Sequence, residues 1–245
     1  MNRYTYDLHV HSCLSPCGDD DMTPGNIAGM AMIKGLNIVA LTDHNSCKNC
    51  PAFFTACENF GIIPIAGMEL TTAEDIHMVC LFYTLKQAMA FDREIENHRV
   101  KIKNKPEIFG NQKILDEDDN PVAEEEYLLI SATDLDVSAA ISTVSDFGGI
   151  IYPAHIDRPS NGMVQTLGSV PVEYGFSCVE FHDPASQKEY IKKYSLEQMK
   201  LVCSSDAHYL GDISEPVNCF QFDDDPYCGK ASAKRVLDYL KEKST

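Results

Sequence analysis

The sequence predicts an α/β protein built on a mainly parallel sheet or barrel, and three observations carry that expectation. Short β-rich runs alternate with helical segments through the 245 residues, the order produced when strands are joined by helical crossovers. The runs end in histidine and carboxylate rather than neutral turn residues, as barrel strands do where they converge on a functional rim. The chain is also long enough to bury one large α/β core, and the pattern assigns a single domain over 1–245.

The elements follow in order. TYDLHVH (5–11) is a strand, and because residues two apart share a face, His9 and His11 aim into one volume with Val10 opposite. Thr23 as N-cap and Pro24 at the first helical position start a helix over 24–34. NIVALTD (37–43) is the next strand, followed by a helix over 51–60. IIPIAGMEL (62–70) and HMVCLFY (77–83) are strands, and a helical stretch over 86–103 follows. GIIYPAH (149–155), CVEFHD (178–183) and KLVCSSD (200–206) are strands alternating with helices over 136–147, 187–194 and 230–242. The one compositional break is 105–130, where DEDDNP reads as a turn between short strands, KIL before it and VAE after it. It is an excursion from the barrel whose acidic face is solvated.

Composition narrows the function. The chain is 44% hydrophobic and 23% charged, ordinary for a globular protein. Its net charge of −17 argues against gripping a polyanion, since nucleic-acid binding rests on Lys and Arg neutralising phosphates. A local cationic site remains open, because multivalent metals bring charge that a residue count omits. The start MNRYTYDLHVHS lacks a long apolar core and no run approaches the ~20 residues of a membrane span. The expectation is a cytoplasmic protein with no membrane partner. The ten cysteines then read as reduced thiols, small buried hydrophobes or metal ligands rather than a disulfide framework.

The chemistry lies in where the histidines fall. His9, His11, His44, His77, His155, His182 and His208 all lie in or at the end of the proposed strands, and only His98, in ENHRVK, reads as surface. Asp7, Asp43 in LTDHN, Glu69 in GMEL and Asp206 in SSDAH accompany them. If the strand ends meet at one rim, these scattered residues become neighbours. Imidazole with carboxylate suits Zn, Mn and Fe(II). A carboxylate such as Glu69 can bridge two ions, and two ions roughly 3.5–4 Å apart clamp a phosphoester and generate hydroxide at neutral pH.

Taken together, HVHS, LTDHN, GMEL, DIHMV, YPAH and SSDAH resemble, in order, the motifs of the PHP superfamily, named from polymerase and histidinol phosphatase. The resemblance covers about residues 5–215. It implies a distorted (β/α)7 TIM-like barrel with a di- or trinuclear centre of Zn, Mn or Fe at the strand C-termini, hydrolysing a phosphate ester by attack of a metal-bridging hydroxide. By motif, His9 and His11 would ligate a first ion with Asp206 and with Glu69 bridging. His44 and His208 would ligate a second ion, and His77 and His155 with Glu69 a third. Asp43 would orient an imidazole. Some members carry a further histidine where this chain has Cys17, and others an Asp in a following turn, here Asp19, Asp20 or Asp21. A thiolate being a credible zinc ligand, Cys17 is favoured over Asp19.

Arg158, just past His155, is a candidate for gripping the substrate phosphate through bidentate hydrogen bonds. His182 is a candidate proton donor to the leaving group, beside Asp206 and His208 as catalytic candidates. Cys13, Cys17, Cys47 and Cys50 follow the first two strands and would form a further site if their loops converge, with unpaired thiols as the default. The favoured substrate is a small phosphomonoester. The rivals are a nuclease acting on nucleic-acid ends, a non-catalytic metal-binding regulatory domain, and a thiol-redox protein. The last lacks its usual context, because Pro51 directly follows Cys50.

Overall fold

The computed structural model describes residues 1–223 and 229–243, with 229–231 described by backbone alone. The strands and helices are β1 (Asn2–Val10), α1 (Pro24–Lys34), β2 (Ile38–Leu41), α2 (Cys50–Phe60), β3 (Ile63–Thr71), β4 (His77–Phe82), α3 (Leu85–Ile95), α4 (Pro106–Phe109), β5 (Lys113–Leu115), β6 (Pro121–Glu124), α5 (Val137–Asp146), β7 (Ile150–Pro153), α6 (Met163–Leu167), β8 (Cys178–Phe181), α7 (Gln187–Tyr194), β9 (Lys200–Cys203), β10 (Cys219–Phe222) and α8 (Gly229–Lys241). None of these helices is long and apolar enough to cross a membrane.

The main sheet has the order β10-β1-β2-β3-β4-β7, and β8 pairs with β9. β1, β2 and β3 run parallel, as do β8 and β9. At the rim, Val10 bridges Ala207 in parallel, and the Ile156 N–H donates to the Glu180 carbonyl at 2.9 Å. These links curl the two sheets into a distorted (β/α)7 barrel, and its strands are the seven runs read from the sequence.

One strand departs from the parallel expectation. β4 is antiparallel to both β3 and β7, because residues 72–76 alone join β3 to β4 and a parallel crossover needs a dozen or more. β7 therefore keeps the direction of β3, and only β4 is reversed between them. Two other differences concern the edges. The helix expected over 86–103 stops at Ile95. RVKIK after it alternates with period two and makes two isolated bridges, Arg99 to Thr133 and Lys103 to Tyr127. β10, whose short run was not anticipated, adds antiparallel to the outer end of β1. The excursion at 105–130 does hold the expected hairpin, β5 with β6.

Side-chain alternation divides the core in two. Tyr6, Leu8, Ile38, Ala40, Ile65, Val79, Leu81, Tyr152, Cys178 and Val202 fill the barrel. Val10, Val39, Leu41, Ala66, Met68, Cys80 and Phe53 pack between strands and helices. On β1 the alternation is interrupted: the β1–β2 register shifts between Asp7 and Val10. That irregularity lets His9 and His11 follow Leu8 on the interior side while Val10 packs outward. On β3 and β8 the inward column simply turns polar at the rim, with Glu69 in step with Ile65 and Glu180 in step with Cys178.

Candidate metal centre

Above the apolar barrel interior, the inward columns end in a buried cluster of imidazoles and carboxylates. Glu69 is its hub. Its Oε1 lies 3.3 Å from His9 Nε2, 2.8 Å from His77 Nδ1 and 3.0 Å from His155 Nε2. Its Oε2 lies 3.3 Å from His11 Nε2 and 3.0 Å from His44 Nδ1. Asp206 Oδ1 lies 3.3 Å from His9 Nε2 and 3.0 Å from His11 Nε2, and those two nitrogens are 3.1 Å apart. Three overlapping groups have the spacing of metal ligands: His9, His11, Glu69 and Asp206; His11, His44 and His208; and His44, Glu69 and His77.

These groups fit cations better than they fit one another. His44 Nδ1, Glu69 Oε2 and Asp206 Oδ1 are buried yet make no hydrogen bond, although nitrogens and oxygens crowd within about 3 Å. Unsatisfied buried polar atoms are costly, and lone pairs aimed into one volume are what divalent ions require. The backbone is held to suit: His155 and Asp206 sit at φ 26° and 52°, in the left-handed region that non-glycine residues rarely adopt.

The electrostatics divide the imidazoles. Burial opposes charge on His9, but the carboxylates of Glu180, Glu69 and Asp206 lift it well above its ordinary range. Burial likewise opposes His11, which hydrogen bonds and charge from Asp206 and Glu69 raise to about 9. Burial lowers His44 to about 3 despite Glu69, and burial together with the neighbouring His11 lowers His208 to about 4. Burial also opposes the Glu69 charge, yet His77, His9 and His44 hold its carboxyl well below the usual range. Glu69 and Asp206, both held below the usual carboxylate range by the imidazoles around them, are thus ionised, and His44 and His208 neutral, at physiological pH.

The reverse sides of the ligand rings are also held. His9 Nδ1 lies 2.7 Å from Glu180 Oε1. His11 Nδ1 lies 2.9 Å from Ser15 Oγ, and that hydroxyl donates to Asp43 Oδ1 at 2.7 Å and accepts the His44 N–H at 3.1 Å. Asp43 therefore acts on His11 through Ser15, and not by direct contact with an imidazole. Asp7 stands outside the centre: it accepts from the Ser205 N–H and hydroxyl and from the Ser214 N–H, fixing the loop that carries Asp206. Glu180 and Ser15 were not singled out by sequence reasoning. Their signals were a glutamate in step with the buried column of CVEF and a serine four residues past His11.

Among the other expected residues, Arg158 Nη1 lies 2.5 Å from Asp206 Oδ2, and Arg158 Nη2 lies 3.3 Å from His182 Nδ1. Both residues border an open cavity of about 640 Å³ shared with Asp206, His208, Tyr209 and Asp212. Cys17 is exposed and joins none of the ligand groups, where His11 stands with His44 and His208 instead. Asp19 is taken up by its own turn, accepting the Asp21 N–H. A site of Cys13, Cys17, Cys47 and Cys50 does not form: among the described residues no cysteine joins a group able to hold an ion. Cys47 and Cys50 are buried against the Gly67 carbonyl, and burial pushes the Cys47 thiol well above its usual range.

Residues 7–244 match the PHP domain, and the chain belongs to that family, whose members are metal-dependent hydrolases. It is 34% identical over 79 residues to the 5'-3' exoribonuclease of Haemophilus influenzae, a stretch covering 31% of this chain and 28% of that protein. Its fold superposes on the lesion-specific endonuclease EndoQ of Pyrococcus furiosus with a TM-score of 0.68 and 18% identity, over 99% of this chain and 57% of that one. It also superposes on a Bifidobacterium adolescentis protein described as a metal-dependent phosphoesterase, with a TM-score of 0.63 and 16% identity, over 98% and 97% of the two chains. The two structural likenesses are likenesses of fold. The chain thus spans little more than half of the endonuclease, and the exoribonuclease is matched over under a third of its length.

Proposed function

We propose that the chain is a metal-dependent phosphoesterase that hydrolyses a small phosphomonoester. The observation that carries this reading is the convergence of His9, His11, His44, His77, His155, Glu69 and Asp206 directly beside a cavity that Arg158 borders. Those residues and His208 would hold two or three divalent ions of Zn, Mn or Fe, which would neutralise phosphoryl charge and lower the pKa of a water nucleophile. Arg158 reaches from Asp206 into the cavity and offers the remaining guanidinium donors to the phosphate. If Arg158 donates to His182 Nδ1, the His182 proton resides on Nε2, in place to pass to a departing alkoxide. His208 keeps Nε2 for the centre, since its Nδ1–H donates to the Asp206 carbonyl at 2.8 Å.

The size of the cavity suits a small ester, and a net charge of −17 disfavours a long polyanion. A nuclease is the second reading, favoured by the exoribonuclease and endonuclease likenesses. A cytoplasmic setting belongs to the same proposal and is supported by the unpaired thiols. The test is hydrolysis of a chromogenic phosphomonoester, a set of sugar phosphates and nucleotides, and single- and double-stranded DNA and RNA, with Mn or Zn added or chelated. Turnover of monoesters that is lost on chelation supports the proposal. Cleavage confined to nucleic acid, with binding that weakens steeply with salt, establishes the second reading. Metal uptake without turnover of any ester makes the chain a non-catalytic metal-binding domain.

A further inference from the structure

We propose that Glu180 is a positioning residue that couples His9 to His155 and thereby sets how tightly the centre holds its ions. The inference rests on the metal-centre reading but not on the identity of the ester. Glu180 lies inward on β8 and is 1% exposed. Its Oε1 has two partners from different elements: His9 Nδ1, on β1, at 2.7 Å, and the His155 backbone N–H, past β7, at 3.2 Å. Its own carbonyl accepts the Ile156 N–H at 2.9 Å. One residue therefore ties β8 to β1 and to the turn after β7.

Each contact has a consequence for ligation. A carboxylate only accepts, so Nδ1 keeps its proton when His9 gives one up to a cation, and it is Nε2 that turns a lone pair toward Glu69, Asp206 and His11. His155 sits at φ 26°, a conformation that persists only where neighbours hold it. The Glu180 oxygen on its N–H and the Glu180 carbonyl on the next N–H supply that hold. They keep His155 Nε2 at 3.0 Å from Glu69 Oε1. Glu180 is not itself among the ligand groups, since it meets the side of His9 that faces away from them. Its Oε2 is buried and makes no hydrogen bond, so the carboxylate serves no competing network. His9 and His155 both approach Glu69 Oε1, at 3.3 and 3.0 Å, so a shift at Glu180 reaches both.

The experiment is a Co²⁺ titration of the full chain and of Glu180→Gln and Glu180→Met, followed by visible absorption and calorimetry, with circular dichroism to confirm folding. Glu180→Gln keeps a neutral acceptor, and Glu180→Met keeps the length but no strong acceptor. Affinity is expected to fall about 10-fold in the first and about 100-fold in the second, the span typical of lost partners behind a ligand. The ligand-field bands should move in both, and raising Co²⁺ should restore turnover with KM unchanged. A folded Glu180→Gln with the parent's affinity and spectrum overturns the inference, and it decides alone if Glu180→Met does not fold. A parent chain that takes up no ion ends the metal-centre reading and this inference with it, whereas ion uptake that is equal in parent and variants ends only the inference.

Discussion

His9 and His11 show how much rests on single side chains. Both meet Asp206 Oδ1 and one oxygen each of Glu69, so removing either ring leaves buried carboxylate charge without its partner. Alanine at His9, His11 or Asp206 is expected to cut phosphoester turnover more than about 100-fold, beyond the loss usual for residues behind the ligands. Turnover in all three variants near the parent's would refute the proposed chemistry. The same residues set a pH dependence. His11 is raised to about 9 and His9 lies well above its ordinary range, so at neutral pH both carry protons that ions must displace. Metal affinity should therefore climb as pH rises from about 6.5 toward 9, with proton release visible as buffer-dependent calorimetric heat, and pH-independent uptake would contradict it. The ligand types were legible in the sequence because histidine is scarce and its placement at strand ends is distinctive. Glu180 and Ser15 were not, because glutamate and serine are common, and only the tertiary contacts to His9 and His11 separate these two from the rest.

At the scale of elements, direction explains the rim. Most of the ligands sit at or beyond the C-terminal ends of their strands, but His77 begins β4. The reversal of β4 between β3 and β7 is what brings its first residue to the same end. The sequence displayed the strand and its histidine but not its direction, which follows from the short link over 72–76. The excursion is tied down by a similar local device. At the tip of the β5–β6 hairpin, Asp119 accepts the Gly25 N–H at 3.0 Å and the Thr23 hydroxyl at 2.5 Å, capping α1 from outside. Asp119→Ala should cost about 1 kcal/mol of stability, the worth of a helix cap, read in denaturant melts with turnover retained. Gly110 makes the other anchor, at φ 96° with the site of a Cβ only 2.1 Å from the Pro16 carbonyl oxygen. Gly110→Ala should destabilise by about 1–3 kcal/mol and displace the loop before α1, so that stability and turnover fall together. An unchanged melt would show that the excursion is not seated there.

At the scale of the molecule, the barrel gathers like charges and desolvated rings that the apolar core alone does not reward. Strands β1, β2, β3, β7 and β9 each carry or lead to a group of the centre, and β4 begins with one, so ions bound there hold together segments distant in sequence. A ligand that binds only the folded chain stabilises it by about 2.7 kcal/mol at 100 times its Kd. For a chain of this length, about 2–4 °C per kcal/mol makes that a shift of about 5–10 °C. Chelation should therefore lower the Tm by that order, and returning Zn or Mn should restore it in a concentration-dependent way. In Glu69→Gln the hub loses its charge but keeps its shape. The chelated variant should melt below the chelated parent, because protonated His9 and His11 lose a carboxylate that holds them, while the rise on adding metal shrinks. That pairing separates ion binding from packing: a residue important only to the fold lowers both melts equally, whereas a bridging ligand closes the gap between them.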